Sequence, residues 1–144
     1  MHTIKAFIVE DSALVLRELS AELEKVSAVT VVASSDGESD ALKKLRLAPE
    51  AYDLIIIDVL LRQGSGLRVL RDAKLLQTRA RVVVLTNYAT LDVRKRCISL
   101  GADRVFDKSK HVDELLEYCS ALSRADDRCA TADDGPPTVP NETT

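Results

Sequence analysis

The hydrophobic positions of this chain alternate between short apolar runs and longer amphipathic stretches. The short runs predict five strands, and the third and fourth are apolar at nearly every position, as in strands buried on both faces of a parallel sheet. The strand predictions cover residues 4–9, 29–34, 54–58, 81–86 and 104–107. Between and after them, apolar residues recur at intervals of three and four, the spacing of one helix face. The helix predictions cover residues 12–26, 38–48, 67–77, 90–99 and 111–124.

The alternation of strand and helix predicts an α/β fold. Helices would cover both faces of a parallel sheet, which gives a three-layer sandwich. Each crossover between parallel strands is expected to be right-handed. The polar residues at the ends of the first, third, fourth and fifth strands share one site if the first strand lies beside the third. The predicted strand order is therefore 2-1-3-4-5.

The chain divides into a domain and a tail. Residues 1–125 are expected to form one domain, long enough to bury a core without disulfides. Residues 126–144 are acidic, contain prolines and lack apolar periodicity, so we expect a disordered tail. The tail holds five acidic residues against Arg128, whereas the rest of the chain carries 18 acidic and 19 basic residues. A domain whose net charge is so close to zero does not favour direct DNA binding, which usually needs a basic face.

The cysteine spacing and the apolar runs indicate a protein whose thiols stay reduced and which does not cross a membrane. Cys97, Cys119 and Cys129 lack CxxC spacing and are expected to act as small apolar residues. No signal peptide precedes the first strand, and no apolar run approaches the length that spans a membrane. We therefore expect a cytoplasmic protein without a membrane partner.

Polar side chains stand where four of the predicted strands end. Glu10 and Asp11 follow the first strand, Asp58 ends the third, Thr86 ends the fourth, and Lys108 follows the fifth. In a parallel sheet these strand ends lie at one edge, and ligands bind there at the point where the strand order reverses. We expect the five side chains to converge in one crevice.

Three carboxylates, a hydroxyl and an ammonium suit a divalent cation and a phosphoryl group. Asp11 and Asp58 offer the oxygen ligands that Mg²⁺ prefers, and Glu10 is placed to hold a coordinated water. Asp58 is also a candidate nucleophile, because a carboxylate can form an aspartyl-phosphate. Lys108 and Thr86 are donors that can stabilise the charge on a transferring phosphoryl group.

The ordered set of motifs resembles the receiver domain of two-component response regulators. The matching pieces are FIVEDS, LIIIDVLLRQGSGL with Gly66 eight residues past Asp58, VVVLTNYA and GADRVFDKS. They stand in the family's order and spacing from residue 4 to about residue 124. With no output domain after them, the chain resembles the single-domain regulators of chemotaxis and phosphorelays. The resemblance implies a flavodoxin-like (βα)5 fold with the strand order given above.

The resemblance also implies a metal site. Asp58 and Asp11 match the direct magnesium ligands, and Glu10 matches a carboxylate that usually acts through water. The backbone carbonyl of Leu60 matches the third protein ligand. The implied cofactor is Mg²⁺, with Mn²⁺ as the alternative.

The remaining implied roles concern the phosphoryl group. Asp58 matches the phosphoacceptor, Thr86 the switch hydroxyl, and Lys108 the lysine that pairs with the phosphoryl group. Leu60 and Tyr88 lie two residues beyond Asp58 and Thr86, where the family tunes hydrolysis. Both are bulky and neither readily orients a water, so we expect slow self-dephosphorylation.

Three positions depart from the family's common pattern. Arg62 and Ser109 stand where prolines are common, four residues after the aspartate and directly after the lysine. Val105 occupies the usual place of the switch aromatic. The neighbouring Phe106 is expected to point into the core, since adjacent residues of a strand face opposite sides.

The function implied is that of a phosphoacceptor. A histidine kinase or a histidine phosphotransfer protein would donate a phosphoryl group to Asp58 in a magnesium-dependent reaction. Phosphorylation would then change a face formed by the fourth helix, fifth strand and fifth helix, to which an unknown downstream protein or a second copy would bind. The protein would catalyse only its own phosphorylation and dephosphorylation.

Two alternatives stay open at this point. One is a receiver-fold module whose binding does not depend on phosphorylation, although the complete set of site residues argues against it. The other is a phosphatase of the haloacid dehalogenase class, which also places a nucleophilic Asp after a strand. That class needs a second Asp two residues further on, where this chain has Leu60.

Overall fold

The computed structural model describes residues 3–25, 29–76, 79–87 and 89–132. Its strands are β1 (Ile4–Val9), β2 (Val29–Ser35), β3 (Leu54–Ile57), β4 (Arg81–Thr86) and β5 (Arg104–Asp107). Its helices are α1 (Ala13–Lys25), α2 (Glu38–Leu47), α3 (Gly66–Leu75), α4 (Leu91–Ser99) and α5 (Val112–Ala132). Every predicted strand is present, and no strand end differs from its prediction by more than one residue.

The strands form one parallel sheet in the order β2-β1-β3-β4-β5, which confirms the predicted order. Val9 pairs with Ile57, and Ile57 pairs with Val84. Three neighbouring strands are therefore in register near their carboxyl ends. The residues that follow β1 and β3 consequently leave the sheet at the same level, which brings Glu10 and Asp58 to one edge.

The core lies on both faces of the sheet. One hydrophobic cluster joins Phe7, Ile55 and Val84 to Leu45 of α2 and Leu70 of α3. The opposite cluster joins a second set of strand residues to α1 and α5, and includes Ile8, Ile56, Leu23 and Leu115. Successive strand residues alternate between the clusters because side chains along a strand point to opposite faces. The predicted three-layer α/β sandwich is thus confirmed.

The fifth helix extends further than its apolar periodicity indicated. The apolar spacing predicts an end at residue 124, but α5 runs to Ala132. Residues 125–132 include three alanines, and the first glycine or proline after them is Gly135, so local propensity permits the helix to continue. The domain boundary at residue 125 stays a prediction, and residues 133–144 of the predicted tail lie outside the described residues. None of the described helices is long and apolar enough to cross a membrane.

Candidate functional site

The site begins where β1 and β3 end at the centre of the sheet. The N–H of Glu10 donates to the carbonyl of Ser35 at 2.9 Å, and the N–H of Asp58 donates to the carbonyl of Val9 at 3.0 Å. These bonds continue the sheet pairing beyond the strands and hold both backbones at its edge. The side chain of Glu10 also accepts a hydrogen bond from the N–H of Ser12 at 3.0 Å.

Three carboxylates meet at this edge. Glu10, Asp11 and Asp58 each offer an oxygen atom, and these oxygens all lie within 4.8 Å of one another. Glu10 and Asp58 are only 4% and 7% exposed, so water screens their mutual repulsion poorly. An all-oxygen donor set of this kind fits Mg²⁺, whose charge would offset the repulsion.

Lys108 joins two of the carboxylates. Its ammonium nitrogen Nζ lies 2.7 Å from Oε1 of Glu10 and 2.8 Å from Oδ2 of Asp58. Burial acts to lower the pKa of Lys108, but its hydrogen bonds to Asp58 and Glu10 outweigh burial, and the pKa is raised. The lysine is therefore a fixed positive charge at neutral pH, in contact with the candidate phosphoacceptor.

The β3–α3 loop, defined here as residues 58–65, wraps around the carboxylates. The N–H of Leu60 donates to Oδ1 of Asp58 at 3.1 Å, and the N–H of Arg62 donates to Oδ2 of Asp11 at 2.7 Å. The Arg62 guanidinium is 4.0 Å from the same Asp11 oxygen, and its side chain is 82% exposed, so the ion pair itself adds little. The loop backbone orients two carboxylates and places Leu60 beside Asp58.

Gly66 leaves room for the backbone of Asp58 and Val59 to pass close to the start of α3. A Cβ built on Gly66 would lie 2.0 Å from the carbonyl oxygen of Asp58 and 2.7 Å from Cα of Val59. The N–H of Gly66 also donates to the carbonyl of Val59 at 3.1 Å. The first residue of α3 must therefore lack a side chain, which explains why a glycine stands eight residues past Asp58.

Thr86 and the β5–α5 turn complete the site edge. Thr86 ends β4, is fully buried, and its carbonyl accepts from the N–H of Lys108 at 2.9 Å. In the turn, Oδ1 of Asp107 accepts from the hydroxyl and the N–H of Ser109, at 2.6 and 2.8 Å. These hydrogen bonds hold the pKa of Asp107 below its usual value. Ser109, which replaces the common proline, thus closes the turn through its side chain.

Two further predictions concern Phe106 and the pair Leu60 and Tyr88. Phe106 is buried among the residues that face α5, as expected, and its ring packs edge-on against Tyr118 with centroids 5.9 Å apart. Leu60 is 54% exposed next to Asp58, whereas Tyr88, the other predicted hydrolysis-tuning residue, lies outside the described residues. Slow self-dephosphorylation stays a prediction.

Two side chains that bind backbone segments around the site were not predicted from the sequence. Arg94 of α4 donates from Nε to the carbonyl of Ala89 at 3.2 Å and from a terminal nitrogen to the carbonyl of Val105 at 3.0 Å. Glu38 at the start of α2 binds the β3–α3 loop. An acidic residue at a helix start is a weak signal for such a contact. Arg94 stands next to two further basic residues, Lys95 and Arg96, and this local cluster does not indicate a contact with the backbone.

Comparison with known proteins agrees with this geometry. Residues 6–120 match the response regulator receiver domain, and the chain belongs to that family. Among curated proteins, it is 26% identical to the cell cycle response regulator CtrA of Brucella ovis over 121 residues, which cover 84% of this chain and 50% of that protein. The chain thus spans about half the length of this relative, and the single-domain type stays a prediction.

Solved structures show the same fold. The receiver domain of the putative regulator NarL from Mycobacterium tuberculosis matches with a TM-score of 0.75 and 17% identity, over 88% of this chain and 98% of that one. CheY in the CheX-CheY-BeF3-Mg²⁺ complex from Borrelia burgdorferi is among the similar folds, in a match with a TM-score of 0.74 and 17% identity that covers 83% of this chain and 89% of that chain. Receiver domains bind Mg²⁺ at an acidic pocket, and this chain has an acidic cluster at the corresponding sheet edge.

Proposed function

We propose that this protein is a response regulator that accepts a phosphoryl group on Asp58. The observation that carries the proposal is the buried contact of Lys108 with Asp58 and Glu10, at 2.8 and 2.7 Å, at the edge where the acidic cluster lies. A lone Asp at a strand end is commonplace. A nucleophilic carboxylate with an ammonium and two further carboxylates around it matches the needs of phosphoryl transfer.

The donor would be a phosphorylated histidine on a histidine kinase or a phosphotransfer protein. A carboxylate oxygen of Asp58 attacks the phosphorus and forms a P–O bond as the P–N bond to the donor imidazole breaks. The electron pair of the broken bond stays on the imidazole nitrogen, which then takes a proton. Lys108 keeps its own proton and stabilises the negative charge on the phosphoryl oxygens.

The chain's own residues would hold the metal ion. Asp11, Asp58 and the Leu60 carbonyl would be direct ligands, with Glu10 acting through water. Bound Mg²⁺, or Mn²⁺ in its place, would supply positive charge that offsets the repulsion between the carboxylates and the incoming phosphoryl group. The contacts of Asp58 with Leu60 and of Asp11 with Arg62 would keep both carboxylates oriented.

Phosphorylation would be read by another protein. We expect the readout on the face formed by α4, β5 and α5, because Lys108 and Thr86 connect the site directly to β5 and β4. A groove on this face is lined by Arg94, Ile98, Val105, Glu114 and Tyr118, among others. The complex of CheX with CheY supports binding of a partner protein by a receiver of this fold. Homodimer formation on phosphorylation is the alternative readout.

The test is the intact mass of the protein after incubation with acetyl phosphate and Mg²⁺. Wild type should gain one phosphoryl group, and the Asp58→Asn variant should gain none. Omission of Mg²⁺ should abolish the adduct. Absence of an adduct in wild type, also with a panel of histidine kinases and phosphotransfer proteins, would instead support a module that binds independently of phosphorylation.

We also propose that the protein is not an enzyme that acts on other substrates. Leu60 lies where a phosphatase of the haloacid dehalogenase class needs its acid–base Asp, and a leucine cannot transfer a proton. Purified protein should therefore not turn over phosphate esters repeatedly. Multiple turnovers of p-nitrophenyl phosphate that are lost in Asp58→Asn would contradict this expectation.

A further inference from the structure

Glu38, the first residue of α2, holds the β3–α3 loop from outside the carboxylate cluster. Its backbone N–H donates to the carbonyl of Gln63 at 2.9 Å, and its Oε1 accepts from the N–H of Ser65 at 2.8 Å. Its Oε2 lies 3.8 Å from the Arg68 guanidinium, and the Glu38 side chain is only 18% exposed. One residue thus engages the loop with both its backbone and its side chain.

The loop passes directly against this side chain. Gly64 adopts φ +89°, and a Cβ placed there would lie 2.3 Å from Cβ of Glu38 and 2.5 Å from its Oε1. Only glycine adopts this backbone conformation at little cost, and only glycine leaves room for the contact. The loop conformation and the position of Glu38 are therefore mutually dependent.

The other side of the same loop contacts the candidate metal ligands. Leu60 pairs with Ser65 in a short antiparallel bridge, so the residue that Glu38 binds is the direct partner of Leu60. The N–H groups of Leu60 and Arg62 donate to Asp58 and Asp11. The loop forms a continuous connection from Glu38 to both carboxylates and to the Leu60 carbonyl.

We propose that Glu38 is a positioning residue for the magnesium site. It acts through the β3–α3 loop, by fixing the Leu60 carbonyl and the two N–H groups that orient Asp58 and Asp11. This inference rests on the proposed function, since it assumes that the carboxylates bind Mg²⁺. Groups that orient metal ligands without touching the metal typically account for about 10- to 100-fold in metal affinity.

The experiment measures the dissociation constant of Mg²⁺ by isothermal titration calorimetry for wild type, Glu38→Ala, Glu38→Gln and Arg68→Ala. Glu38→Ala should weaken Mg²⁺ binding about tenfold, because Ser65 loses its acceptor. Glu38→Gln keeps an Oε1 acceptor and should stay within about threefold of wild type. Arg68→Ala is the matched control, since it removes only an ion pair in which Arg68 is 66% exposed.

A second readout separates positioning from simple loss of stability. The rate of phosphorylation of Glu38→Ala by acetyl phosphate should return close to the wild-type rate at saturating Mg²⁺. Because bound Mg²⁺ also stabilises the folded state, urea unfolding of Glu38→Ala without divalent cations measures the loss of stability separately, and a variant that stays fully folded under the titration conditions but binds Mg²⁺ more weakly supports positioning. If Glu38→Ala does not fold, as judged by circular dichroism, Glu38→Asp takes its place, because its shorter side chain should not reach Ser65.

Three results would overturn the inference. They are an unchanged Mg²⁺ affinity in a folded Glu38→Ala or Glu38→Asp variant, an Arg68→Ala variant as weak as Glu38→Ala, and no measurable Mg²⁺ binding by wild type. Failure of the proposed function is a separate result, because it shows as the absence of any phosphoryl adduct on wild-type Asp58. A normal adduct with an unchanged Mg²⁺ affinity in the variants would reject the role of Glu38 alone.

Discussion

Replacement of Lys108 by methionine should destabilise the protein in the absence of divalent cations. Methionine preserves much of the side-chain length but removes the charge that contacts Asp58 and Glu10 at 2.8 and 2.7 Å. At an effective dielectric constant of about 20, each contact is worth roughly 6 kcal/mol before desolvation is subtracted. Loss of one partner from a buried ion pair typically costs about 3–5 kcal/mol, because the remaining charge is left buried.

We expect the lower end of this range, about 3 kcal/mol, for Lys108→Met. The lysine side chain retains 13% exposure, and the two carboxylates can relax towards water. The assay is urea unfolding, followed by circular dichroism without divalent cations. Addition of Mg²⁺ should narrow the difference between variant and wild type, because the cation should bind more tightly where no lysine ammonium contacts the carboxylates, and tighter binding stabilises the folded state more.

The control for this experiment is Asp58→Asn. It removes one of the three clustered carboxylates while Lys108 keeps its contact with Glu10, so its stability should stay near wild type or rise. A Lys108→Met variant that unfolds within about 0.5 kcal/mol of wild type would refute the argument that the lysine offsets a buried negative charge. Equal destabilisation of both variants would show that packing, rather than charge, dominates at this site.

The contribution of Lys108 to the stability of the folded state should change with pH in one direction only. The pKa of Lys108 is raised in the folded protein, so the folded state binds the proton more tightly than the unfolded state does. The stability that this provides is fully present below the unfolded pKa of lysine, about 10.4, and is lost as pH rises through the folded value. The difference between wild type and Lys108→Met should therefore be constant around neutral pH and shrink only in strongly alkaline solution.

Two further substitutions test the loops around the site. Gly66→Ala should lower stability by about 1–3 kcal/mol and impair phosphoryl adduct formation, because its Cβ would lie 2.0 Å from a backbone oxygen. Gly37→Ala is its milder control, with the nearest atom at 3.2 Å, and equal melting temperatures for the two variants would contradict the steric argument. Arg94→Met should cost about 1–3 kcal/mol in urea unfolding, since it removes hydrogen bonds to Ala89 and Val105. Arg94→Lys should not restore both bonds, and a wild-type stability for it would refute a role of the forked guanidinium.

Part of this protein could be predicted from local patterns in the sequence. Strand and helix periodicities are properties of neighbouring residues, so the five strands and the parallel sheet followed from them, whereas the strand order followed from the expected convergence of the polar strand ends in one site. The polar residues at the strand ends, such as Asp58 and Lys108, could be placed at one edge for the same reason. Phe106 was predicted to face the core and does so, because alternation along a strand is a local rule.

Other features depended on contacts between residues far apart in the chain. The sequence indicated that Lys108 shares a crevice with the three carboxylates. Only the folded structure shows that, within the described part of the chain, its ion pairs are with Glu10 and Asp58 and not with Asp11. Side-chain contacts of this kind are set by packing and rotamer choice, which periodicity does not specify. The extension of α5 to Ala132 was missed because the predicted boundary relied on apolar spacing, which residues 125–132 of the sequence lack.

Glu38 and Gly66 show the difference most directly. The spacing of Gly66 from Asp58 was visible in the sequence, but the reason for it, a backbone oxygen 2.0 Å from any Cβ, exists only in three dimensions. Glu38 lies 27 residues before Ser65 and precedes a separate strand, so no local pattern links them. The sequence by itself determined which elements form and which end of the sheet carries the chemistry. The tertiary structure decided how the loops are held there, because hydrogen-bond partners across a fold are chosen by the packing of whole elements.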